Sequence, residues 1–454
     1  MNDLLKNKKS GWEEVSEDEK NAIFTFSDEY MKFLNSAKTE REIIRATEAL
    51  ARQNGFKSLD EYSELYPGDR VYFINRGKNI YLAVIGQESM EAGINIVGAH
   101  ADSPRLDLKP NPLYQEGNLA YLKTHYYGGI KKYQWATIPL ALHGMVVLND
   151  GKKVKIKIGE DENDPIFYIS DLLPHLGTKQ MSLKGNEIIT GEQLNIIAGG
   201  MPYADEEVRS KIKLNVLNIL NEKYGIKEGD FMSSELCAVP AYKAKDIGFD
   251  RAFIGAYGHD DKSCAYPALR AILDTKSNDT VMTILVDKEE IGSEGNTGMK
   301  SKVYEDLIDE IAEAFKCNKR KVRAKSRCLS ADVTSCFDPT FPDVYEKFNS
   351  AKISCGVCIN KFTGAGGKSG ANDASAELMG EIRQIFAKAN IVWQAAELGV
   401  VDLGGGGTIA KFVASLNIDT VDIGVPVISM HAPYELISKA DLYTCYQAFC
   451  AFVK

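Results

Sequence analysis

No stretch of the chain approaches the roughly 18 uninterrupted apolar residues that a membrane-spanning helix needs. The first nine residues, Met-Asn-Asp-Leu-Leu-Lys-Asn-Lys-Lys, hold no apolar core of the kind that drives secretion. A basic surplus is missing too. Lys and Arg number 54 against 63 Asp and Glu, a net charge of −9, which argues against nucleic acid or an acidic membrane surface as a partner. Nine cysteines, an odd number spread from Cys237 to Cys450, form no disulfide framework and fit reduced thiols in the cytoplasm. Cys355-Gly-Val-Cys358 has redox or zinc-ligand spacing, but no second pair accompanies it, and it reads as buried strand.

Nucleotide-binding loops are absent as well. Gly364-Ala-Gly-Gly-Lys368-Ser369 has the ending of a phosphate loop, yet the position that must hold the first glycine is Phe362. Gly404-Gly-Gly-Gly407-Thr408 lacks the dinucleotide fingerprint, though so bare a backbone lets a bound peptide come close.

What the chain does have is a repeated construction, an apolar run that ends at once in metal-type ligands. Val281-Met-Thr-Ile-Leu-Val286 leads to Glu289 and Glu290 and a glycine turn. Ile94-Asn-Ile-Val97 leads to Gly98-Ala-His100-Ala-Asp102, an imidazole followed by a carboxylate able to orient it. Ala252-Phe-Ile-Gly-Ala256 leads to His259-Asp260-Asp261-Lys262, Arg327-Cys-Leu-Ser-Ala331 leads to Asp332, and Val421-Asp-Ile-Gly-Val-Pro-Val-Ile428 leads to His431. Open α/β proteins bind ligands at the carboxyl ends of their strands. Any one of these residues alone is as readily a helix cap, a turn or a hydrogen-bonded core histidine. Together they form a nitrogen and oxygen donor set without thiolate, which suits zinc, cobalt or manganese, and a shared carboxylate can bridge two ions.

In these segments the chain resembles a known family. GAHADSPRLDLKP (98–110), GHDDKSCAY (258–266), DKEEIGSEG (287–295), SADVTSCFDP (330–339) and SMHAPYE (429–435) are similar to the ordered motifs of the aspartyl aminopeptidases, co-catalytic dizinc metalloaminopeptidases, in their bacterial form. Animal members read Asp-Asn where this chain reads Asp260-Asp261. The resemblance implies a cytoplasmic enzyme that removes single residues from peptide N-termini, with two Zn2+ per subunit and Co2+ or Mn2+ as substitutes. It implies His100, Asp260 and Asp332 around one ion and Asp260, Glu290 and His431 around the other, with Glu289 as general base and Asp102 behind the first histidine. It further implies a cis peptide between Asp260 and Asp261, and a substrate-lining turn at Gly406, Gly407 and Thr408. A dimer-built tetrahedral dodecamer also follows from it, with His175 as the candidate to reach a neighbour's site. The family name points to N-terminal Asp or Glu, and relatives with neutral preferences exist.

At 454 residues the chain is long enough for two domains. Ser16 with Glu19, and Thr39 with Glu42, predict two capped helices, the second ending near Gly55. Strand-like runs follow at 71–75, 80–85 and 94–97. Residues 110–245 change character: they carry no acid–base cluster, and Asn149-Asp150-Gly151 between alternating runs predicts a hairpin. The first ligand precedes this stretch and the others follow it, so it reads as a β-rich domain inserted into a discontinuous catalytic domain, 1–109 and 246–454, and the resemblance implies that the insert serves oligomerisation. From 246 onward strands alternate with helical runs, which predicts an α/β fold, and the resemblance implies a mixed sheet like that of zinc exopeptidases. Two other readings remain at this point. A carboxypeptidase or deacylase would share the metals but would need a cation for the substrate carboxylate, for which Arg105, Lys361 and Lys368 are available. A non-catalytic peptide-binding shell would be free to lose Glu289 or a ligand, and this chain keeps both.

Overall fold

Ser16 and Thr39 begin the first two helices as their side chains dictate. In the computed structural model, which describes residues 10–13, 15–204 and 208–454, Ser16 accepts the Glu19 N–H at 3.2 Å and starts helix Glu17–Ser36. Glu42 reaches back to the N–H groups of Lys38 and Thr39 and starts Glu40–Gln53. The first nine residues, whose want of an apolar core argued against a secretion leader, lie outside the described residues.

The chain divides into two compact units: residues 1–103, 244–430 and 435–454 in one, and 104–243 with 431–434 in the other. The first is built on a nine-stranded mixed sheet. Its central strands Val281–Val286, Asn95–His100, Arg327–Ala331 and Asp419–Gly424 run parallel, so all four deliver their carboxyl ends to one edge. Register fixes what meets there: Val286 lies opposite His100, and Ala331 opposite Ile423.

Both faces of these strands are covered. Val281 and Leu285 point into a cluster with helices Glu17–Ser36, His259–Asp274, Ala376–Lys388 and Lys439–Phe452. Met282, Ile284 and Val286 point the other way, among residues of helix Val303–Ala314. Side chains alternate across a strand, so covering both faces demands a nearly continuous apolar run, and in residues 281–286 the one polar side chain, Thr283, donates to the Ala268 carbonyl. A smaller five-stranded sheet in the same unit carries Glu435–Ser438 and pairs Glu435 with Ala256, just before the Asp260 segment.

The second unit is a seven-stranded sheet in which every pairing is antiparallel. The predicted hairpin joins Leu140–Val147 to Lys153–Ile158. None of the nine cysteines is in a disulfide, and Cys358 lies in the buried strand Val357–Asn360.

Candidate active site

His100 ends its strand and is 1% exposed. Its Nε2 lies 3.0 Å from Asp260 Oδ1 and 3.8 Å from Asp332 Oδ1, while Nδ1 lies 3.1 Å from the Asp102 carbonyl and 3.3 Å from Asp102 Oδ1. One ring nitrogen thus faces two carboxylates from other elements, and the opposite one is fixed by Asp102. This is the arrangement by which a histidine ligand is oriented. Burial alone would lower the His100 pKa, but bonds to Asp102, Asp260 and Asp332 hold it well above the ordinary value. A cation is wanted at this spot.

Asp260 and Asp261 precede the regular part of helix His259–Asp274, in extended and irregular backbone, joined by a cis peptide. Asp260 turns its carboxylate to His100. Asp261 turns away, and its Oδ2 accepts the His100 N–H at 3.2 Å. Burial first, then nearby charges, raises the Asp261 pKa well above the carboxylate range. Asp332 follows strand Arg327–Ala331 and is drawn in by its N–H, which donates to Ile423. Gly424 makes room for it: a Cβ there would stand 1.8 Å from the Asp332 carbonyl oxygen.

The two glutamates occupy a single 3-10 turn, Glu289–Ile291, entered through Lys288 at φ +67 and left through Gly292 at φ +92. Asp102 accepts the N–H of Glu289 and of Glu290, each at 3.2 Å. One buried acid therefore orients the histidine and caps the glutamate turn. His100, Asp260 and Asp332 each offer a ligand atom within 4.8 Å of the others, and Asp260 and Glu290 offer oxygens within the same distance. Burial first, then the charge of Asp332, pushes Glu289 up to about 8.

His431 belongs to the second unit, at φ +65, with Nδ1 2.6 Å from the Gly129 carbonyl, which turns Nε2 into its outward ligand atom. His175, also in the second unit, is exposed on the turn Pro174–Leu176. Thr408 donates to Asp422, and Gly406 accepts the Gly364 N–H at 2.7 Å, tying the two glycine-rich stretches together. His259 is structural: Tyr30 and the Ile254 carbonyl take its two nitrogens, and burial lowers it to about 3.

The family model for Aminopeptidase I zinc metalloproteases (M18) matches residues 33–453. The chain belongs to the M18 family of zinc aminopeptidases. It is similar to "Probable M18 family aminopeptidase 1" of Clostridium acetobutylicum, at 47% identity over all of this chain and 99% of that one. The crystal structure of an M18 aminopeptidase from Thermotoga maritima superposes with a TM-score of 0.96 at 42% identity, covering 99% of this chain and 100% of the other. A dodecamer of the S. cerevisiae enzyme mApe1, at 20% identity and a TM-score of 0.77 over 95% of this chain and 97% of that one, shares the fold. As an M18 aminopeptidase the chain hydrolyses peptide bonds, and the α/β fold expected of it is the family's.

The sequence reading gave no role to Ser103, Lys262 or Glu435, which lie around the Asp260 backbone.

Proposed function

We propose that the chain removes single N-terminal residues from peptides by a two-metal mechanism, in the cytoplasm. Asp260 carries this reading, since its carboxylate reaches His100 on one side and lies within 4.8 Å of a Glu290 oxygen. His100, Asp260 and Asp332 would hold one Zn2+, and Asp260, Glu290 and His431 the other. The donors suit zinc, being imidazole nitrogens and carboxylate oxygens without thiolate. Bound there, two cations supply Lewis acidity towards the scissile carbonyl and a water of lowered pKa.

The residues divide the remaining work. Glu290 serves as ligand, and Glu289, next to it on the same turn, takes a proton from the attacking water and returns it to the leaving amine. Asp102 holds that turn and the His100 ring, so base and ligands share one anchor. The turn at Gly406, Gly407 and Thr408 lines the peptide, and His175 reaches a neighbouring subunit's site in a homo-oligomer. A dodecamer, the state of the yeast relative, is the assembly this reading favours. Lys361 and Lys368 both pair with Asp373, and Arg105 pairs with Asp107, so the cations that a carboxypeptidase would turn to its substrate are engaged.

The test is hydrolysis of dipeptides and tripeptides by zinc- and cobalt-loaded protein, with free, N-acetylated and C-amidated versions compared. Cleavage of free and C-amidated but not N-acetylated peptides is expected, and the preferred first residue sorts acidic from neutral specificity. A requirement for a free carboxylate or a blocked amine would sink the proposal.

A further inference from the structure

Beside the ligand cluster lies a buried pair to which the reaction above gives no part. Lys262 is fully enclosed, and its Nζ donates to Ser103 Oγ at 2.6 Å. Ser103 Oγ donates in turn to the backbone carbonyl of Asp260 at 2.6 Å. From the other side, the Asp260 N–H donates to Glu435 Oε2 at 3.1 Å. The Asp260 backbone is therefore gripped at both its donor and its acceptor by buried groups.

The chemistry of the pair sets its direction. An ammonium has protons and no acceptor, so towards Lys262 the serine oxygen accepts, and its single proton is left for Asp260. Bonds of this kind, assisted by a charge, are shorter and stronger than neutral ones. Backbone is arranged to admit the ammonium: Gly258 stands at φ +78, and a Cβ on it would lie 2.6 Å from Lys262 Nζ and 3.1 Å from Ser103 Oγ. An enclosed ammonium is expensive unless hydrogen-bonded and near opposite charge. Here the carboxylates whose charge acts on it are Glu435, Asp102, Asp260 and Glu290.

We propose that Lys262 and Ser103 are positioning residues: Lys262 locks the Ser103 hydroxyl onto the Asp260 carbonyl, and this holds the Asp260 carboxylate in the orientation that sharing two ions requires. The inference rests on the proposed sharing of Asp260. Charge and position act here with opposite signs. A positive group near two metal sites repels the ions, so its charge alone would weaken binding, whereas the lock on Asp260 strengthens it.

Zinc affinity by chelator competition, together with the visible absorption of the cobalt-loaded protein, separates the two in Ser103→Ala, Ser103→Thr, Lys262→Met and Asp260→Asn. Ser103→Ala and Lys262→Met should each weaken zinc by about 10–100-fold, the usual effect of losing a ligand's support, and should shift the cobalt bands alike. Ser103→Thr, which keeps the hydroxyl, should restore both readouts. Tighter zinc binding in Lys262→Met with Ser103→Ala unchanged would make the lysine a charge and nothing more, and overturns the proposal. Unchanged affinity and spectrum in both variants overturns it as well. If Lys262→Met does not fold, Ser103→Ala set against Ser103→Thr decides alone. Asp260→Asn tests the foundation: retention of both ions there defeats the shared-ligand reading, whereas their loss beside an unaltered Ser103→Ala defeats only the positioning.

Discussion

Glu289 and Glu290 are chemically identical neighbours to which the proposal gives different work, and substitution tells them apart. Glu289→Gln keeps the size and the turn but removes the base, so kcat should fall by about 10²–10⁴-fold with zinc content unchanged. Loss of zinc instead would make Glu289 a ligand. The adjacent aspartates separate in the same way. Asp260→Asn should weaken both metal sites, and Asp261→Asn should spare them, since Asp261 spends its Oδ2 on the His100 backbone. The reverse result moves the bridge by one residue. The sequence alone made Asp260 and Asp261 equivalent acids, and only the family resemblance preferred one. What distinguishes them is where the chain turns, and that depends on Ser103, Lys262 and Glu435, residues distant in sequence or silent in pattern.

Elements were more legible than side-chain roles, because alternation and capping are local. The largely apolar run 281–286 announced a strand, and Thr39 with Glu42 announced a helix start. Strand order was not readable. Val281–Val286 sits between Asn79–Val84 and Asn95–His100, and nothing in the local pattern says so. Tertiary anchoring escapes the sequence for the same reason, as helix Lys439–Phe452 shows. Asp441, in its first turn, accepts the N–H groups of Ser354 and Gly356, both at 2.7 Å. Burial pushes its pKa up to about 8, against about 3.9 for an unfolded carboxyl. Between those values the folded chain keeps a proton that the unfolded chain has lost, so stability falls as pH rises through the window. Asp441→Asn cannot ionise. Its melting temperature relative to the unaltered protein should therefore rise between about pH 5 and about pH 8, and a flat or falling difference would show the carboxylate ionised in the fold.

For the molecule as a whole, none of the described helices is long and apolar enough to cross a membrane, and the partner that the proposed function names is a further copy of the chain. If the proposed assembly is right, light scattering after gel filtration should return about twelve times the 50.1 kDa chain mass. Removing the inserted residues 110–245 should reduce this to a single subunit, and a large assembly that survives the deletion would remove the insert from that role. The discontinuous sheet has one more consequence, in time. His100 and Asp332 are made more than two hundred residues apart, and at ribosomal speed the interval is roughly 10–50 s. For most of it the strand that ends in His100 has no Val281–Val286 beside it, and almost to its end no Arg327–Ala331. If His100, Asp260 and Asp332 hold an ion as proposed, a nascent chain cannot close that group early, and taking up the ion reports that synthesis has passed Asp332.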